Sequence, residues 1–296
     1  MELNQFSLKK LIGVGAYGKV YLAYHNEKKE YISLKILDKE TINRKKIMNR
    51  VLNEKKILET THYPMIIHLL DFFDDKTHIY LMFDFINGGE LFYYLNHYGK
   101  FSSRLSCFYA AEILCAINYL HSVDIIHRDI KPENIMLKYD GHIVLVDFGE
   151  AKIIRDNEKT FTFCGTSEYM APETILRIGH DKSVDLYCLG ILIFEMMAGF
   201  TPFDISTTKN IDLLFRRIVN GYISYPSHMN SQEKNLCQNL ICDKKKRLTL
   251  EDVKQHSWFN EIDWDCANQG KLIPPIIPIT TSKEDTRNFI SYPENE

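Results

Sequence analysis

Asp129 and Asp147 lie 18 positions apart in "IIHRDIKPENIMLKYDGHIVLVDFGEAK", residues 125–152, with Lys131, Asn134 and Gly149 close by. Carboxylate and amide oxygens are hard ligands that suit magnesium. A loop aspartate can also accept a hydrogen bond from a hydroxyl and take its proton. Phosphoryl transfer needs these groups, because it depends on positioning, charge neutralisation and orientation of the attacking hydroxyl. On this reading Asp129 faces the hydroxyl and Lys131 steadies charge on the transferring group. Asn134 and Asp147 hold the metal. Pro132 stiffens the loop, Gly149 permits a bend, and Phe148 packs inward and reports whether Asp147 points into the site.

Upstream, "GVGAYGKV" places Gly13, Gly15 and Gly18 between two strand-like runs. Missing side chains let backbone approach phosphate oxygens closely. The same spacing opens dinucleotide folds, where it leads straight into a helix. Here "KVYLAYH" continues as strand, which favours a lid between two strands. Lys35, inside the strand "SLKIL", needs a partner or open water. Phosphate is one candidate and Glu54 another. A Lys35–Glu54 bridge would align the lysine and couple the helix to activity.

These residues require elements to carry them. Runs at 6–36 are short, β-rich and separated by turn residues. Residues 44–59 switch to helical spacing, with Ile47, Val51, Ile57 and Leu58 on one stripe. Strand character returns over 68–86 and ends at "NGG", 87–89, a flexible joint. Beyond it, apolar helices are expected over 106–122 and 182–199, with smaller ones at 208–220, 231–242 and 250–256. The expected fold is α+β and bilobal: a β-rich lobe with one main helix (6–86), a largely helical lobe (87–265) and a tail (266–296). The 296 residues are 45% hydrophobic and 25% charged, enough for a sizeable core. A formal charge of -3 leaves no global basic footprint for nucleic acid. No apolar run is long enough for a membrane span, and the first residues do not read as a signal peptide. Seven cysteines without a metal-type CxxC pair read as reduced thiols of a cytosolic or nuclear protein.

In order, "GVGAYGKV", "SLK", Glu54, "HRDIKPEN", "DFG" and "APE" make residues 6–265 resemble a eukaryotic protein kinase. "VLNEKKIL", "GGELF", "FYAAEI", "FTFCGTSEYMAPE", "HSWFNEIDW" and "NFISYPENE" narrow the resemblance to the AGC group, and within it to the cAMP-dependent catalytic subunits. The resemblance implies ATP and Mg2+ as cofactors. It places adenine among Val20, Ser33, Phe83, Met136 and Val146, bonded by the backbone of Asp84 and Ile86. Phe289 and Tyr292 would wrap back to the nucleotide edge. Leu58, Leu69, His127 and Phe148 would form the internal stack of the active state. Three departures stand out. Ser33 replaces the family's alanine, "KKRLTLEDVKQH" lacks a Gly-Asn insert, and the chain begins and stops short of the family's terminal segments, so a truncated tail is expected.

The resemblance also implies protein substrates with basic residues before the target. Glu90, Glu133, Glu168 and Glu195 match substrate-side positions, and Glu90 also borders the nucleotide. Phe163 and Met170 would line an apolar pocket for the residue after the target. Thr162, between "DFG" and "APE", matches a phosphosite whose phosphate Arg128, Lys152 and Arg50 would receive. A cAMP-binding regulatory subunit would dock on the cleft and on the surface around Phe161 and Lys159. Another AGC kinase, a kinase-like scaffold without transfer, and a small-molecule or lipid kinase are the rival readings. The intact set Lys35, Asp129, Asn134 and Asp147 opposes the scaffold, and "CGTSEYMAPE" opposes the last.

Overall fold

A computed structural model describes residues 1–15, 18–204, 210–290 and 292. The tip of the glycine-rich lid, the first two residues of the helix expected from 208, and most of the last six residues lie outside the described residues. Five strands, β1 (Phe6–Val14), β2 (Gly18–His25), β3 (Glu30–Asp38), β4 (Leu69–Asp74) and β5 (His78–Asp84), form an antiparallel sheet in the order β1-β2-β3-β5-β4. The two-residue period of β3 divides its side chains between two faces. Ser33, Lys35 and Leu37 line the cleft. Ile32 and Leu34 are buried on the other side with Phe6, Phe73 and Tyr80. Register sets Lys35 between Val20 and Leu81, and Ser33 beside Phe83.

The single helix expected over 44–59 is two. Lys46 adopts φ 56, a left-handed conformation that closes α1 (Lys39–Lys45) before α2 (Met48–Thr60) begins. A Lys-Lys pair carries no sequence signal for that break. Helices then dominate: α3 (Leu91–Tyr98), α4 (Ser103–Ser122), α5 (Pro172–Ile175), α6 (Ser183–Ala198), α7 (Ile211–Asn220), α8 (Ser231–Leu240), α9 (Leu250–Lys254) and α10 (Trp264–Asn268). The last helix spans the junction expected at 265. Between α4 and α5 run two small hairpin-like pairings, β6 (Ile125–Ile126) with β9 (Lys152–Ile153) and β7 (Ile135–Leu137) with β8 (Ile143–Leu145).

The helical core packs α4 against α6. Most of their side chains, among them Tyr109, Ile113, Leu189 and Phe194, are buried. Arg247 closes this lobe from below. Its guanidinium pairs with Glu173 of "APE" at 2.6 Å and 3.0 Å, with both residues buried. Among the described residues, no helix is long and apolar enough to cross a membrane.

Candidate active site

The two lobes enclose a cavity of about 340 Å³. Its roof is the lid. Gly13, Gly15 and Gly18 line it, and the Gly15 amide donates to the Gly18 carbonyl at 2.8 Å. A Cβ on Gly18 would lie 2.2 Å from the Ile36 carbonyl oxygen, so β2 and β3 can close here only over glycine. Val20 and Ser33 face the cavity from above, and Met136 and Val146 from below. Phe83, Asp84 and Ile86 form its back wall, with Glu90 at the end.

The tail supplies a side. Phe289 and Tyr292 both line the cavity, and Phe289 stacks on Phe85 with centroids 5.7 Å apart. Lys10 Nζ donates to Thr286 Oγ1 at 3.0 Å, and Asn288 Nδ2 donates to the Asn87 carbonyl at 3.3 Å. Gly89 makes room for this return. Its φ is +84, and a Cβ there would meet the Asn288 carbonyl oxygen at 2.5 Å.

Lys35 Nζ lies 2.8 Å from Glu54 Oε1 and 3.5 Å from Asp147 Oδ1. Burial alone would lower the lysine pKa, but the two carboxylates outweigh it and hold the ammonium charged, with its pKa raised. The same ammonium holds the Asp147 carboxyl below its usual range, assisted by the Gly149 amide at 3.3 Å. Asp147 adopts φ 57, which turns its side chain to the cleft while Phe148 stays fully buried.

Asp129 is 8% exposed, and every atom of its carboxylate is held. The Thr166 amide and hydroxyl donate to Oδ1 at 2.9 Å and 2.8 Å. Asn134 Nδ2 donates to Oδ2 at 2.9 Å, and Lys131 Nζ lies 3.1 Å from it. Lys131 also donates to Thr166 Oγ1 at 2.7 Å. The Asn134 amide nitrogen is thus committed to Asp129, on a side chain that also lines the cavity.

The loop that carries Asp129 hangs from Asp185, fully buried in α6. Its carboxylate accepts from the His127 and Arg128 amides at 3.0 Å and 2.8 Å, and pairs with His121 Nε2 at 2.8 Å. His127 itself is buried, and burial lowers its pKa. Its Nδ1 accepts from the Asp129 amide at 3.3 Å, so Nε2 carries the proton toward the Val146 carbonyl at 3.2 Å. The His127 ring meets Phe148 edge-on at 4.8 Å, and Leu58 and Leu69 are buried in the same core cluster as Phe148.

The glutamates cluster on the open side. Burial first, then Glu133 and Glu168, push the Glu195 carboxyl up to about 8, and Tyr169 donates its hydroxyl to it. Burial and the Glu133 charge raise Glu90 likewise, and burial raises Glu133. In the segment 150–170, Phe163 is exposed and meets Phe215 edge-on, whereas Met170 is buried. Phe161 is 64% exposed and covers Gly179 beside the Lys159 stem. Thr162 is exposed, and its hydroxyl lies 3.4 Å from that of Thr160, which Lys152 Nζ holds at 2.8 Å. Arg128 donates from Nε to the Glu150 carbonyl, while one of its terminal nitrogens is buried without a partner. Arg50, grouped by resemblance with the phosphate receivers, pairs with Glu150.

Sequence reasoning passed over Asp185, Thr166 and Glu150. Asp185 had a signal, since a charge inside a helix otherwise apolar enough to be core needs buried partners. Thr166 had none, being an ordinary threonine in a polar loop.

A family profile described as "Protein kinase domain" matches residues 6–259. The chain is 42% identical over its full length to the human cAMP-dependent protein kinase catalytic subunit PRKX, covering 83% of that protein. It is 41% identical to cAMP-dependent protein kinase catalytic subunit 3 of Drosophila melanogaster, covering 51% of it. Over 98% of its length it is 40% identical to the Saccharomyces cerevisiae serine/threonine-protein kinase YPK2/YKR2, covering 43% of that protein.

Proposed function

Because this chain belongs to the protein kinase family, in the AGC group with the cAMP-dependent catalytic subunits, we propose that its cleft transfers the γ-phosphoryl of ATP to serine or threonine in proteins with basic residues before the target. Serine/threonine kinase activity follows from the family; the residue roles and the substrate preference are our reading. The observation that carries it is the fixed Asp129 carboxylate, bonded by Thr166, Asn134 and Lys131, in one cavity with the Lys35–Glu54–Asp147 chain.

Asp129 accepts the hydrogen bond of the substrate hydroxyl and receives its proton. Lys131 steadies charge on the phosphoryl oxygens, and Lys35 orients the phosphates nearer the adenine. The fit to Mg2+ rests on donor chemistry. Asp147 offers a carboxylate kept ionised by Lys35, and Asn134 an amide oxygen on a side chain whose nitrogen is bonded to Asp129. Among the described residues no cluster of three or more metal-binding side chains occurs. Magnesium is commonly held by one or two carboxylates with substrate phosphates and water. When bound, it neutralises charge on the phosphates.

Lobes at 6–86 and 87–265 and a tail at 266–296 would then divide the work into nucleotide roof, peptide platform and adenine side wall. Phosphorylation of Thr162 is supported by Lys152 nearby and by the unpartnered nitrogen of Arg128. Seven unpaired cysteines support a reducing compartment, cytosol or nucleus.

Transfer to a serine peptide with upstream arginines tests the roles. Asp129→Ala should cut turnover by about 10²–10⁴-fold while leaving nucleotide affinity nearly intact. Asp147→Asn should lose turnover together with the magnesium dependence of nucleotide binding. Near wild-type turnover in Asp129→Ala would remove that residue from its role. Inhibition by a cAMP-binding regulatory subunit is the matching partner reading, supported by the acidic cleft and exposed Phe161. A pull-down with and without cAMP checks it: binding released by cAMP is expected, and no binding by active, Thr162-phosphorylated protein would place it on another AGC branch.

A further inference from the structure

Arg50, Asn53 and Glu54 stand at i, i+3 and i+4 of α2, so one face of the helix presents all three. Each reaches the segment around Asp147. Glu54 takes Lys35, which lies 3.5 Å from Asp147. Asn53 Nδ2 donates to the Ala151 carbonyl at 2.8 Å. Arg50 donates to the Glu150 carboxylate. The Glu150 carbonyl is in turn held by Arg128 Nε at 2.6 Å. Residue 150 is therefore gripped by α2 through its side chain and by the Asp129 loop through its backbone.

The pair is partly shielded, with side-chain exposures of 38% for Arg50 and 22% for Glu150. Shielding makes such a pair less sensitive to salt than a surface one. Its position matters more. A shift of α2 that broke the Lys35–Glu54 contact would also have to break Arg50–Glu150, one helical turn away. The link joins two side chains of the chain itself, so it contains no group that modification of Thr162 must add.

We infer that Glu150 is a positioning residue: its carboxylate holds α2 in place through Arg50 without a phosphate, leaving Arg128 and Lys152 to receive one on Thr162. This rests on the proposed roles of Lys35, Glu54 and Asp147. The consequence is a kinase whose α2 is only partly dependent on Thr162 modification.

The test compares Glu150→Gln, and the charge-exchanged pair Arg50→Glu with Glu150→Arg, in the Thr162→Ala and the Thr162-phosphorylated protein. Peptide kcat, KM for ATP and hydrogen exchange of the α2 amides are measured in each. Glu150→Gln should lower kcat about fivefold or more in Thr162→Ala, and clearly less in the phosphorylated protein, with faster exchange in α2. The exchanged pair should recover most of both. An equal loss with and without phosphate, no loss, or an exchanged pair as impaired as Glu150→Gln overturns the inference. Should wild-type protein transfer no phosphate, the kinase reading falls, and α2 exchange alone decides the link: unchanged protection in Glu150→Gln overturns it.

Discussion

Burial and two neighbouring glutamates raise the Glu195 carboxyl to about 8, which favours its protonated form at neutral pH. A peptide arginine stays charged throughout this range and pairs with the carboxylate form. Binding must therefore displace the proton, and the bound-state pKa falls below the free value of about 8. The sign follows: affinity for basic peptides is complete above the free pKa and declines as pH drops toward the bound one. Glu133 shares the cluster, and burial raises its carboxyl in the same direction. KM for an arginine peptide, relative to its neutral counterpart, should fall as pH rises from about 6 to about 9, by up to about tenfold per unit. A KM ratio flat across that span would remove Glu195 from peptide recognition.

At the scale of elements, the tail is held by the Lys10, Asn87 and Phe85 contacts and needs one backbone position free of a side chain. Gly89 holds φ +84 directly beneath the Asn288 carbonyl. Gly89→Ala adds both strain, about 1–3 kcal/mol, and a clash, and so should lift Thr286, Asn288 and Phe289 from their contacts. KM for ATP should rise well beyond any change in peptide KM, because on the proposed function Phe289 and Tyr292 wall the nucleotide. Equal shifts in both would mean the tail does not wall the nucleotide. The strands and long helices were legible because their periods are strong: alternation in β3, and continuous burial in α4 and α6. The break between α1 and α2 was not, since it turns on the left-handed conformation of Lys46. Around the site, motif spacing named Lys35, Glu54, Asp129, Asn134 and Asp147, and the family resemblance added the wall residues that the cleft gathers with them. The threonine and aspartate that hold the Asp129 loop come from distant segments, and only folding brings them there.

At the scale of the whole molecule, the cleft joins three separate regions. The sheet provides Lys35 and the lid, the helical lobe provides Asp129, Asn134 and the acidic cluster, and the tail closes one side of the cavity. On the proposed function, nucleotide and peptide would meet where the two lobes face each other, and the glutamates would set which peptide binds. A positional-scanning peptide screen with the wild-type protein, ATP and Mg2+ tests that arrangement most directly. The account predicts phosphorylation of serine and threonine, not tyrosine, with arginine selected at the second and third positions before the target. Transfer without any preference for upstream basic residues, or no transfer to peptides by protein that binds ATP, would contradict it.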